Sequence, residues 1–115
     1  MYEISGKNPE LKPYLLAAHF DVVPSNAEQE KWLFEPFEAN ISDDFIYARG
    51  AIDDKSSMLG HLEALTSFLK KHGQPNRTIY LAYGHDEEST GQEGAKIISD
   101  LLSNVSLEYV LDEGR

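Results

Sequence analysis

The chain has 115 residues, the size of one domain, and its 41% apolar content is enough for a modest core. A net charge of -10 argues against a nucleic-acid partner, and no apolar run approaches the roughly 18 residues of a membrane span. With no cysteine there can be no disulfide framework and no thiolate metal site.

Met1-Tyr2-Glu3-Ile4 lacks the charged and apolar regions of a signal peptide. Tyr14-Leu15-Leu16-Ala17-Ala18, after Pro13, is a continuous apolar run and predicts a buried strand. It ends in His19-Phe20-Asp21. Residues 24–44 carry Pro24, Ser25, Asn26 and Pro36 and predict a surface excursion pinned by Trp32, Phe34 and Phe37. Phe45-Ile46-Tyr47-Ala48 is a second, shorter strand candidate.

From Lys55 to His72 the period becomes helical. Met58, Leu62, Leu65 and Leu69 form one stripe, widened by Leu59 and Phe68. Asp53 or Asp54 is placed to cap its start, while Gly73 and Pro75 stop it. Thr78 to Tyr83 predicts a third strand, broken by Gly84 and followed by His85-Asp86-Glu87-Glu88. Thr90-Gly91-Gln92-Glu93 has capping-box spacing, opening a helix with Ala95, Ile98, Leu101 and Leu102 inward that ends near Asn104. Leu107 to Leu111 predicts a last strand, closed by Asp112-Glu113-Gly114.

This order implies an α/β fold of three layers, helices on both faces of a largely parallel sheet. Ligands of such sheets gather beyond the carboxyl ends of the strands. His19/Asp21, Asp53/Asp54, Glu87/Glu88 and Asp112/Glu113 all follow predicted strands, so the topology predicts that they share one rim. Imidazole and carboxylate donors without thiolate suit zinc. Asp21 is a candidate to hold the second ring nitrogen of His19. Of the adjacent pair Glu87 and Glu88, one is expected as a ligand and the other as a general base. Taken singly, each cluster is better explained as a helix cap or a solvated turn; their conjunction favours a metal site. His61, His72 and His85 are read as structural, and no serine nucleophile is legible. Three N-x-S/T sequons, at Asn40, Asn76 and Asn104, hint at a secretory or vacuolar-lumen route.

His19-Phe20-Asp21-Val22-Val23-Pro24, Arg49-Gly50-Ala51-Ile52-Asp53-Asp54-Lys55 and Gly84-His85-Asp86-Glu87-Glu88 together resemble the successive signatures of the M20 metallopeptidases. The forms of the second and third motifs, with the closing Leu-Asp-Glu-Gly, resemble the branch of carboxypeptidase S and N-fatty-acyl-amino-acid synthase/hydrolase. Position by position, the resemblance implies His19 and Asp112 on one zinc ion, Glu88 on a second, and Asp53 bridging both. Asp21 would orient His19, Glu87 would be the general base, and Glu113 is a rival to Asp112. Asp44 and Ala48 depart from the family, standing where relatives often have glycine.

The same resemblance implies a zinc-exopeptidase-like catalytic domain that is incomplete here, with the lid or dimerisation domain, a late second-site histidine and flanking sequence lying elsewhere. The implied parent hydrolyses or forms an amide bond next to an amino-acid carboxylate, on small peptides or N-acyl amino acids, and the isolated stretch is expected to be inactive. The competing expectation is a non-catalytic metal-binding or interaction module derived from such an enzyme.

Overall fold

The computed structural model describes residues 1–113; Gly114, read above as closing the last strand, lies outside them. The elements are β1 (Tyr2–Ile4), β2 (Tyr14–His19), α1 (Ala27–Glu30), β3 (Asn40–Ser42), β4 (Phe45–Tyr47), α2 (Lys55–His72), β5 (Ile79–Gly84), α3 (Ala95–Leu101) and β6 (Tyr109–Leu111). The main sheet has the order β1-β5-β2-β6. Strand β2 runs parallel to both β5 and β6, with Leu15 opposite Tyr80 and Val110 and His19 opposite Gly84. Its antiparallel edge is β1, too short for its alternation to be read from sequence.

Side chains alternate across the sheet. Leu15 and Ala82 form a buried cluster with Leu102, flanked by Tyr80, Ile98, Val105 and Leu107. On the opposite face the Tyr83 ring stacks on His61 of α2, with centroids 6.3 Å apart. One helix therefore covers each face, the expected three layers.

Helix α2 has the expected bounds, and Gly73 ends it at φ 71° with its amide bonded to Leu69 O at 2.9 Å. Its inner face, however, carries His61 beside Met58, Leu65 and Leu69, whereas Leu59 stays 60% exposed.

Three expectations need correction. Phe45–Tyr47 does not join the main sheet but pairs with β3 in a separate hairpin. The two turn residues, Asp43 and Asp44, have φ of 50° and 66°, the twist a two-residue hairpin demands and one that aspartate tolerates. The 53–54 cluster consequently arrives from a loop rather than from a sheet strand. The Thr90 capping box does not form either: α3 starts only at Ala95, because Asp86 captures both of its partners. Asp86 Oδ2 accepts from the Glu93 amide at 2.8 Å and from the Thr90 hydroxyl at 3.2 Å. A carboxylate is a stronger acceptor than a hydroxyl. These bonds, the Glu93 amide foremost, hold the Asp86 carboxyl below its ordinary range. Leu101 correspondingly stays exposed while Ile98 and Leu102 pack. Finally, Phe37 does not pin the excursion, being 63% exposed.

Glu30 and Arg49 hold that loop instead. Glu30 accepts from the Trp32 indole (2.8 Å), the Ser25 hydroxyl (2.7 Å) and the Asn26 amide (3.2 Å), and pairs with Arg49 at 2.8 Å. The Arg49 guanidinium also lies over the Trp32 ring. The Trp32 bond first, then those from Ser25 and Asn26, lowers the Glu30 carboxyl from 4.5 to about 2. A depressed carboxyl stabilises above its unfolded pKa, and that contribution fades as pH falls toward the folded value. The loop should therefore stay tied from neutral pH to about 4.5 and loosen progressively toward about 2. The indole N–H resonance of Trp32 reports this, and movement confined to higher pH would contradict it.

Gly6 lies where β1 leaves the sheet, its amide donating to the Thr78 hydroxyl at 3.0 Å. A Cβ there would come within 2.4 Å of the Arg77 carbonyl carbon and the Thr78 nitrogen, both backbone atoms. Gly6→Ala should lower stability by about 1–3 kcal/mol, as overpacking does. Chemical denaturation measures it; an unchanged midpoint would show that this edge yields freely.

Candidate metal centre

His19 is the last residue of β2 and is 2% exposed. Its Nδ1 lies 3.0 Å from the backbone carbonyl of Asp21 and 3.3 Å from Asp21 Oδ1. A carbonyl can only accept, so in the neutral ring Nδ1 carries the proton and Nε2 turns its lone pair to the rim. Around Nε2 stand Asp53 Oδ1 at 3.0 Å, Glu113 Oε1 at 3.1 Å and Glu87 Oε2 at 3.7 Å. Burial alone would lower the imidazole pKa, but Glu113, the Asp21 carbonyl, Glu87 and Asp21 together raise it. Glu113 is raised too, by burial first and then by Asp54, Glu87 and Asp112, against the opposing pull of His19.

Asp21 also binds the far side of the rim. Its Oδ1 accepts from the Glu87 amide at 3.2 Å and its Oδ2 from the Glu88 amide at 3.1 Å. One carboxylate thereby joins the end of β2 to the loop after β5. The 50–54 turn is fixed by Lys55, whose amide donates to Gly50 O at 3.2 Å and whose Nζ donates to Phe20 O at 2.9 Å. Gly50 is needed there: its φ is 83° and a Cβ would meet Val22 Cγ1 at 2.5 Å.

Among the described residues, two groupings place their donor atoms within 4.8 Å of one another: His19, Asp53 and Glu88, and His19, Asp54 and Glu113. The fold thus brings His19, Asp53, Glu87 and Glu88 together, with Asp21 behind them. Asp112 is in neither grouping. Its Oδ1 accepts from the Glu113 amide at 3.0 Å, and the longer Glu113 side chain reaches the imidazole instead. Asp54 is the residue the sequence misassigned. It stands at the helix start yet makes no side-chain cap, is 2% exposed, and accepts from the His19 amide at 3.4 Å. Adjacency within Asp53-Asp54 was the available signal, but capping explained it equally well.

Carboxylates crowded round one buried imidazole repel each other, and a divalent cation among them would offset that repulsion. The nitrogen and oxygen donors suit such an ion, with His19, Asp53, Asp54, Glu88 and Glu113 as the residues placed to hold it.

A mixed sheet covered on both faces carries an imidazole–carboxylate rim at the carboxyl ends of its parallel strands. The chain belongs to peptidase family M20/M25/M40, whose model matches residues 15–113. It is 48% identical over 116 residues to the N-fatty-acyl-amino acid synthase/hydrolase PM20D1.1 of Danio rerio, covering 99% of this chain and 22% of that protein. A carboxypeptidase S-like protein of Dictyostelium discoideum is 41% identical over 117 residues, with 99% and 22% covered. The crystal structure of the M20 family metallo-carboxypeptidase Sso-CP2 from Sulfolobus solfataricus superposes with a TM-score of 0.79 at 33% identity, covering 99% of this chain and 25% of that one. The chain spans about a fifth of the length of the curated relatives it matches. The expected fold and family are both borne out.

Proposed function

We propose that the chain is part of a zinc-dependent hydrolase that cleaves, or in reverse forms, the amide bond next to an amino-acid carboxylate. Small peptides and N-acyl amino acids are the substrate classes, in keeping with the names of its relatives. The convergence of Asp53, Glu87 and Glu113 on His19 Nε2, within 3.0–3.7 Å, carries this reading. A cation in the rim would supply Lewis acidity and make water acidic enough to ionise near neutrality. Asp21 fixes the His19 tautomer and, through two amides, the loop of Glu87 and Glu88. Glu87, whose side chain is 50% exposed, is open to solvent and substrate. It accepts the proton of the attacking water and delivers it to the leaving amine. A merely metal-binding module would have no use for such a base. The test is zinc content and hydrolysis of dipeptides and N-acyl amino acids by the full-length protein; absence of bound zinc would refute the reading.

We also propose passage through a secretory compartment, supported by exposed sequon asparagines at Asn76 and Asn104. Enzymatic removal of N-glycans from the native protein should convert both to aspartate in its peptide masses. Unmodified peptides at all three sequons, Asn40 included, would overturn the proposal.

A further inference from the structure

Glu88 is grouped with His19 and Asp53, and Glu87 approaches the same imidazole, but both ride on a loop, residues 86–94, that contains no regular element. Loops are soft unless tied, and a base displaced by about 1 Å loses catalytic power on the order of 10²-fold. Asp21 ties this loop from the rim side through the Glu87 and Glu88 amides. On the other side the ties converge on one residue that neither metal grouping includes. Asp86 Oδ2 accepts from the Glu93 amide and the Thr90 hydroxyl at 2.8 and 3.2 Å, and its carbonyl accepts from the Ser89 and Gly91 amides at 3.2 and 2.9 Å. Its Oδ1 is packed over Gly94, where a Cβ would approach to 2.6 Å. The acid that begins the Asp-Glu-Glu motif therefore spends its carboxylate inside the loop.

We propose that Asp86 is a positioning residue: its carboxylate, seated on Gly94, closes the 86–94 loop and thereby holds Glu87 and Glu88 against the His19 rim. This deepens the hydrolase reading and rests on it. Thr90 is the accessory tie, and Gly94 leaves room for the seat. Gly94→Ala crowds the carboxylate off its place, and its Cβ also meets the His85 nitrogen at 3.1 Å and the Gly84 Cα at 3.3 Å, so Asp86→Ala is the cleaner of the two variants.

The experiment compares the full-length protein with Asp86→Ala, Gly94→Ala, Thr90→Val and Thr90→Ser. Amide hydrogen exchange of the metal-free proteins should quicken over residues 86–94 in the first two variants and remain unchanged over β2 in both and over β5 in Asp86→Ala. With N-acyl amino acid as substrate, kcat should fall about 100-fold while KM moves less than about threefold. Thr90→Val should show a smaller loss that Thr90→Ser restores. Unchanged exchange in the loop overturns the proposal. So does quickened exchange with undiminished kcat, or a kcat loss that merely follows the unfolded fraction. Where Asp86→Ala fails to fold, the Thr90 pair decides, and equal kcat for its two members counts against the anchor. Should the unsubstituted protein turn over neither dipeptides nor N-acyl amino acids, the hydrolase reading fails on its own. Loop exchange and zinc affinity, expected to weaken about tenfold, then still decide the role of Asp86.

Discussion

Glu87→Gln in the full-length protein should reduce kcat about 10³-fold, within the range that loss of a general base produces, while zinc content stays the same. The substitution keeps shape and removes only the ability to take a proton. Nothing else in the rim is displaced, because the loop is held through backbone groups: the Glu87 amide donates to Asp21 Oδ1 at 3.2 Å whatever the side chain. The carboxylate itself is the outermost of the three that face Nε2, at 3.7 Å, and half-exposed, while Asp53 and Glu113 lie closer, at 3.0 and 3.1 Å. Those inner oxygens are placed to hold a cation, and the outer one is placed to meet water. Steady-state kinetics beside metal analysis decides the matter. Turnover within threefold of the unsubstituted protein would remove Glu87 from the base role, and loss of zinc would make it a ligand instead.

What the sequence revealed and what it hid follow from the range of the forces involved. The 55–72 helix is legible because its caps and period are local, and β2 and β5 because a buried parallel strand is a continuous apolar run. The family motifs are local too, so His19, Asp53, Glu87 and Glu88 could be named before any geometry was known. What escaped was competition between acceptors. Thr90 looks like a helix cap until Asp86, four residues earlier, takes its hydroxyl and the Glu93 amide. Asp54 looks like a helix cap until its carboxylate turns to the His19 amide, 35 residues away. In both cases the sequence offers a donor and several acceptors, and only tertiary structure selects among them. The inner face of α2 was misread for a similar reason. Counting apolar residues favours Leu62, whereas His61 packs inward because the flat Tyr83 ring is there to stack on it.

The same selection separates Asp112 from Glu113, and the expected result is asymmetric. Glu113→Ala should weaken zinc binding by more than about 100-fold, beyond what loss of an outer partner costs, whereas Asp112→Ala should weaken it by about tenfold. The reason lies in how β6 ends. Leu111 is its last residue, opposite Leu16, and the chain is free of the sheet just beyond. There Asp112 Oδ1 accepts from the Glu113 amide at 3.0 Å, which turns the backbone so that Glu113 reaches the imidazole at 3.1 Å. Asp112 thus acts on the rim by aiming its neighbour, and its loss leaves the donor present but less well aimed. Glu113 loss takes away a donor oxygen outright, leaving His19 and Asp54 with an incomplete grouping. Competition titrations of zinc against a chelator measure both variants on one scale. Should Asp112→Ala prove the more damaging, the cation draws Asp112 inward, and the ligand order implied by the family motif holds in place of this geometry.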